Sequence, residues 1–87
     1  MTITRSDISA AFDDLSSGAR TRESIAVWAS SLLKADDDGS LVLQPASDRS
    51  ALWEAVKYLV GVDLRHTPQE YLHSLDDFRA FRIRHGV

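Results

Sequence analysis

Apolar residues recur at helical spacing in four separate stretches of the chain, each with its own start signal. In the first, Ile8, Ala11, Phe12 and Leu15 fall on one face. Thr4 precedes them as a cap, and Asp7, three residues later, can close a capping box. Ile3 and Ile8 occupy the two positions of a hydrophobic staple. Gly18 is a natural stop, because glycine takes the left-handed conformation without steric cost. The second stretch begins at Thr21, with Glu23 in its first turn, where a negative charge meets the positive helix end. Ile25, Trp28, Ala29 and Leu32 make its face, Val27 and Leu33 broaden it, and the pattern ends around Lys34 or Ala35.

A charged turn, Asp36-Asp37-Asp38-Gly39-Ser40, follows. Leu41-Val42-Leu43-Gln44-Pro45 then forms a short extended piece, since Pro45 biases Gln44 away from helix. A lone strand has no partner, so this piece is expected to be a loop pinned by Leu41 and Leu43. The third helix starts at Ser47 or Asp48, with a stripe of Leu52, Val56 and Leu59 beside Trp53 and Val60. Gly61 ends it, and Val62 is expected to fold back onto Val56 in a Schellman-type contact.

The last region carries two start signals. Thr67-Pro68-Gln69-Glu70 offers a cap, a proline at the first helical position and a capping-box glutamate, and Ser74-Leu75-Asp76-Asp77 repeats the cap-and-box arrangement. The pattern predicts a short helical turn over residues 68–72, then a helix from Leu75 to about Arg84 with Leu75, Phe78 and Phe81 facing inward. A single continuous helix from Pro68 is the alternative. Short connections between helices of similar length favour antiparallel neighbours. The predicted fold is therefore all-α, a small antiparallel four-helix bundle with a short extra helical turn before the last helix, in a single domain over residues 1–87.

Chemistry narrows the functional classes. A chain of 87 residues has a thin core and little room for an enclosed substrate pocket. It has no cysteine, no apolar run of signal-peptide type and no stretch long enough to span a bilayer, which points to a cytoplasmic protein with no membrane role. The run Asp36-Asp37-Asp38-Gly39 does not fit an EF-hand loop: its glycine comes fourth and Ser47 holds the twelfth position. His66, His73 and His85 lack the spacing of a zinc site. No nucleophile elbow or glycine-rich phosphate loop is present. Adjacent carboxylates such as Asp13-Asp14 diverge by about 100° on a helix and do not make a shared acid–base site. No catalytic residue, metal or cofactor is expected, and the protein is read as a binder and not an enzyme. Trp28 and Trp53 lie on or beside apolar stripes and are read as core.

The net charge is −3, unevenly spread. All 13 acidic residues lie at or before Asp77, and up to residue 78 they outnumber the basic ones 13 to seven, leaving −6 there. Arg79, Arg82 and Arg84 crowd the end, with Arg79 and Arg82 on one side of a helix. They complement the negative end of the last helix dipole. Without interleaved aromatics or a basic recognition helix, they give little support to nucleic-acid binding, so no nucleic-acid partner is expected.

Several segments together form a string with a known look: Arg22-Glu23-Ser24-Ile25-Ala26-Val27-Trp28-Ala29, Leu52-Trp53-Glu54-Ala55, Tyr58-Leu59-Val60-Gly61-Val62-Asp63-Leu64, Tyr71-Leu72-His73-Ser74 and Asp76-Asp77-Phe78. The string resembles small bacterial immunity proteins of the colicin D type and of contact-dependent growth inhibition systems. The resemblance implies a helical bundle that neutralises a cognate toxin, often a tRNA-cleaving nuclease, by covering its basic active site. An acidic protein can mimic phosphate and gain fast association by steering. On that reading Asp63, Glu70, Asp76 and Asp77 are the toxin-binding residues. Asp76 and Asp77 equally suit stabilisation of a helix N-terminus, and Asp63 equally suits ordering of the turn after Gly61. The rivals are a helical adaptor or regulatory subunit with an unrelated partner, and a nucleic-acid binder using the C-terminal arginines. The sequence specifies no oligomeric state.

Overall fold

The structure is a computed structural model describing residues 1–67, 70–71 and 74–87; the side chains of residues 66, 67 and 70 fall outside the described part. In chain order the elements are β1 (Thr2–Thr4), α1 (Arg5–Ser17), α2 (Arg22–Asp37), β2 (Val42–Gln44), a 3-10 turn (Ala46–Asp48), α3 (Arg49–Val60), β3 (Arg65–Thr67), β4 (Glu70–Tyr71) and α4 (Leu75–His85).

Helix α1 starts as its sequence directs. The Asp7 backbone N–H donates to Thr4 Oγ1, and the Thr4 backbone N–H donates to Asp7 Oδ2 at 2.8 Å. This reciprocal pair satisfies two donors that the first turn cannot bond internally. Gly18 ends α1 with φ 79°, a left-handed conformation that a Cβ would strain. Thr21 caps α2, accepting from the Ser24 backbone N–H at 3.0 Å. That helix continues to Asp37, past the predicted end, because Ala35 remains buried on its inner face.

The all-α expectation is corrected by the sheets. β1 and β2 pair in parallel, placing Ile3 opposite Leu43. Both side chains are buried while their strand neighbours Thr2, Val42 and Gln44 are exposed, the alternation a pleated strand imposes. The segment read as a loop has a partner, 40 residues upstream, in the residues that also cap and staple α1. Three residues are too few to show a period of two, which is why the strand was not legible.

The region before α4 is corrected likewise. Residues assigned to a helical turn include Glu70 and Tyr71, which form a strand antiparallel to β3, with Arg65 opposite Tyr71 and Thr67 opposite Glu70. This also removes the single helix from Pro68; the other residues of that turn, 68, 69 and 72, lie outside the described residues. Pro68 holds the residue before it in an extended conformation, which serves a strand end as well as a helix cap. Gly61 closes α3 with φ −98° and not in the left-handed form, so the Schellman expectation also fails. Tight turns from Gly61 N–H to Tyr58 O and from Val62 N–H to Leu59 O replace it, and Val62 is still fully buried.

The core joins Ile3, Ile8, Phe12, Ile25, Leu32, Leu43, Leu52, Val56, Leu59, Val62 and Phe78. Trp28 and Trp53 pack half-buried against it. Helix α4 docks through aromatic rings: Phe81 stacks on Tyr58 at 4.2 Å between centroids and lies 5.8 Å from Phe12, while Phe78 meets Phe12 edge-on at 6.2 Å. Leu75, expected inward, is exposed. It opens the helix on nearly the same side as Arg82 and lines a groove with Ser16 of α1 without being buried there.

Candidate functional site

The cations divide into those with a charged, polar or ring partner within the protein and those with no ion pair among the described residues. Arg5 pairs with Asp48, Lys57 with Glu54 at 2.9 Å, and Arg65 with Glu23 at 3.7 Å. Arg22 donates to the Val62 carbonyl at 3.5 Å and lies over the rings of Tyr71 and Phe78, 4.2 and 4.8 Å from their centroids. Arg20 lies 5.7 Å from the centroid of the Trp28 ring. Arg82 is the most fully engaged: it donates to Asp13, to Ser9 Oγ and to the Val87 carbonyl at 2.7, 2.7 and 2.8 Å. Lys34, Arg49, Arg79 and Arg84 have no ion-pair partner among the described residues. Two of these four, Arg79 and Arg84, lie on one helix.

Helix α4 therefore has two faces. Phe78, Phe81, Arg82 and His85 turn toward the body; Leu75, Asp76, Arg79, Ala80, Ile83 and Arg84 are exposed. Arg79 and Arg84 are five residues apart, about 140° around an α-helix. They sit at the flanks of an exposed strip centred on Ala80 and Ile83, the latter 77% exposed. Arg79 and Arg82 share one side of the helix, as their spacing implies, but Arg82 is engaged with α1 while Arg79 is exposed. A groove of about 450 Å³ lies beside Arg79, lined by Ser16, Leu75, Arg82 and Ile83.

The four carboxylates singled out in the sequence come from three places in the chain: the turn after α3, β4 and the first turn of α4. Asp77 belongs to the α4 capping box: its backbone N–H donates to Ser74 Oγ, and its Oδ2 accepts from the Ser74 backbone N–H at 2.9 Å. Asp76 is exposed in the same turn. Asp63 is half-buried in the turn after α3, and the side chain of Glu70 lies outside the described residues.

A cluster the sequence did not signal joins α2 to the hairpin. Tyr71 donates to Glu23 Oε1 at 2.7 Å, with the Arg22 and Arg65 guanidiniums 4.2 and 5.0 Å from its ring centroid. The phenol hydrogen bond, more than any other influence, holds the Glu23 carboxyl below its ordinary pKa, with its own backbone N–H, Arg65 and Arg22 adding to the effect. Burial pushes the Tyr58 phenol above its ordinary value, reinforced by Asp77 and opposed by Arg22. Glu23 and Tyr71 are 48 residues apart, and no local motif could have paired them. Among the described residues no group of three or more metal-ligating side chains gathers, and no helix is long and apolar enough to cross a membrane.

A family described as YxzC DNA-binding protein matches residues 3–84. The chain belongs to this family. A curated relative, the uncharacterized protein YxzC of Bacillus subtilis (strain 168), is 35% identical over 60 residues, which is 69% of this chain and 43% of the relative. The chain thus spans less than half the length of that YxzC protein. No solved structure matches it.

Membership of the YxzC family overturns the resemblance to immunity proteins, and with it the toxin partner and the expectation of no nucleic acid. The physical reason is visible in the fold. The apolar backbone of the string behind that resemblance is core packing: Ile25, Ala26, Ala29, Leu52, Ala55, Leu59, Val62 and Phe78 are buried. It records how helices meet, which unrelated binders can share.

Proposed function

We propose that this chain is a DNA-binding module that contacts duplex DNA through the exposed face of α4. It acts in the cytoplasm, by binding and not by catalysis. The observation that carries the reading is the pair Arg79 and Arg84, exposed and without ion-pair partners among the described residues, on the flanks of one solvent-facing strip. The family's description as DNA-binding supports it. A major groove about 12 Å wide admits a helix. In such a pose the two flanking guanidiniums reach phosphates on opposite walls, and Ala80 lets the helix approach the bases closely. Ile83 presents an apolar contact of the kind that meets a thymine methyl. Arg82 supplies no phosphate contact; it fixes the helix against α1.

Electrostatics sets the strength. Two free arginines on a chain of net charge −3 give a small phosphate term, and Asp76 works against it at the start of the same helix. Binding is therefore weak and shallowly salt-dependent, the logarithm of affinity falling with the logarithm of salt at a slope of about −2. The test is an anisotropy titration of a labelled duplex across ionic strengths. Saturable binding with that slope supports the reading; no binding at the lowest ionic strength refutes it.

A further inference from the structure

A concavity with apolar walls and two charged side chains lies away from α4. It occupies about 530 Å³, within the range of small-molecule sites. Its walls come from four places in the fold: Asp36 at the end of α2, Leu41 and Leu43 before and within β2, Ser47 in the 3-10 turn, and Arg49, Ser50 and Trp53 from α3. Leu43 is buried, and Leu41 and Trp53 are half-buried against the core, so the floor is apolar with one indole in it. At the rim stand a cation, Arg49, and an anion, Asp36. Neither has an ion-pair partner among the described residues, so they do not neutralise each other.

An apolar floor with an aromatic plane and two separated opposite charges matches a planar ligand that is cationic or hydrogen-bond-donating at one end and anionic at the other. We propose that this pocket binds a nucleoside monophosphate whose base carries an exocyclic amino group. The base packs against Trp53 and Leu41, its amino group donates to the Asp36 carboxylate, and the phosphate accepts from Arg49 and from the Ser47 and Ser50 hydroxyls. Arg49 and Ser50 belong to the first turn of α3, where the helix dipole also favours an anion. None of these groups is needed for DNA contact by α4, and α4 lines no part of the pocket. The site thus adds a small-molecule input to the module.

Trp53 supplies the readout. In Trp28→Phe it is the remaining tryptophan, and adenosine monophosphate is expected to quench its emission saturably. Arg49→Gln, at an exposed position, is expected to weaken binding by about tenfold or more, the effect of losing a charge-assisted hydrogen bond to phosphate. Calorimetry on the unaltered chain and on its Arg49→Gln variant gives the same answer without relying on the tryptophan replacement. Absence of binding by calorimetry overturns the proposal. So does binding that leaves Trp53 emission unchanged, or binding that Arg49→Gln does not weaken.

Discussion

Arg82 of α4 donates to Asp13 of α1 at 2.7 Å across 69 residues of sequence. The same guanidinium reaches Ser9 and the Val87 carbonyl, and it lies 5.7 Å from the centroid of the Phe12 ring. One side chain thereby ties the last helix and the chain end to the first helix. Arg82→Ala is expected to lower unfolding free energy by roughly 1–3 kcal/mol, since charged hydrogen bonds and ring packing go together. Asp13 is 67% exposed, so Asp13→Ala is expected to cost only roughly 0.2–1 kcal/mol. Urea denaturation of both variants separates them; equal losses would show that Arg82 acts through this one ion pair.

Strand β2 makes neighbouring residues unequal. Leu43 is 7% exposed and Val42 is 47% exposed. Leu43→Ala is expected to cost about 2–4 kcal/mol through a core cavity, and Val42→Ala no more than about 0.5 kcal/mol. Similar losses at the two positions would mean that the segment is the irregular loop its sequence suggests.

The two aspartates that open α4 have different jobs. Ser74→Ala breaks the capping box that includes Asp77 and is expected to cost about 1 kcal/mol. Asp76, exposed and outside that box, stands near the proposed phosphate path. Asp76→Asn is expected to tighten DNA binding with little change in melting temperature. Weaker DNA binding in Asp76→Asn would place the DNA elsewhere.

Glu23 links stability to pH. Its carboxyl is held below the ordinary value chiefly by the Tyr71 hydrogen bond, so its folded pKa lies under its unfolded one. The stabilisation is complete above the unfolded value and is lost as pH falls through the folded value. Melting temperature should therefore drop on acidification below the ordinary glutamate range. Glu23→Gln or Tyr71→Phe should flatten that drop. An acid response identical in Tyr71→Phe and the parent would show that the phenol does not govern it.

The helices were legible because their signals are local. Thr4 with Asp7 and Ser74 with Asp77 sit three residues apart, and both form the boxes their spacing implies. The buried stripes of α1 and α3 likewise follow from spacing. What the sequence hid depends on distant partners. Ile3 reads as a staple residue and is also a strand residue, through Leu43. Thr67-Pro68 reads as a helix start, whereas Thr67 ends a strand paired with Glu70. The site shows the same division. Arg79, Arg82 and Arg84 form an obvious cluster in sequence, yet only the fold shows that Arg82 is turned inward to Asp13 while the outer two are exposed.

The proposed contact is between DNA and the exposed face of α4. It is tested most directly by measuring duplex affinity for two double variants that remove the same charge. Arg79→Gln with Arg84→Gln removes the α4 pair; Lys34→Gln with Arg49→Gln removes two cations elsewhere that likewise have no ion-pair partner among the described residues. A loss of more than about tenfold is expected at low ionic strength for the α4 pair, with a salt slope near zero, and only a small loss for the other pair. Equal losses in the two variants, or none in the α4 pair, would contradict the proposed contact.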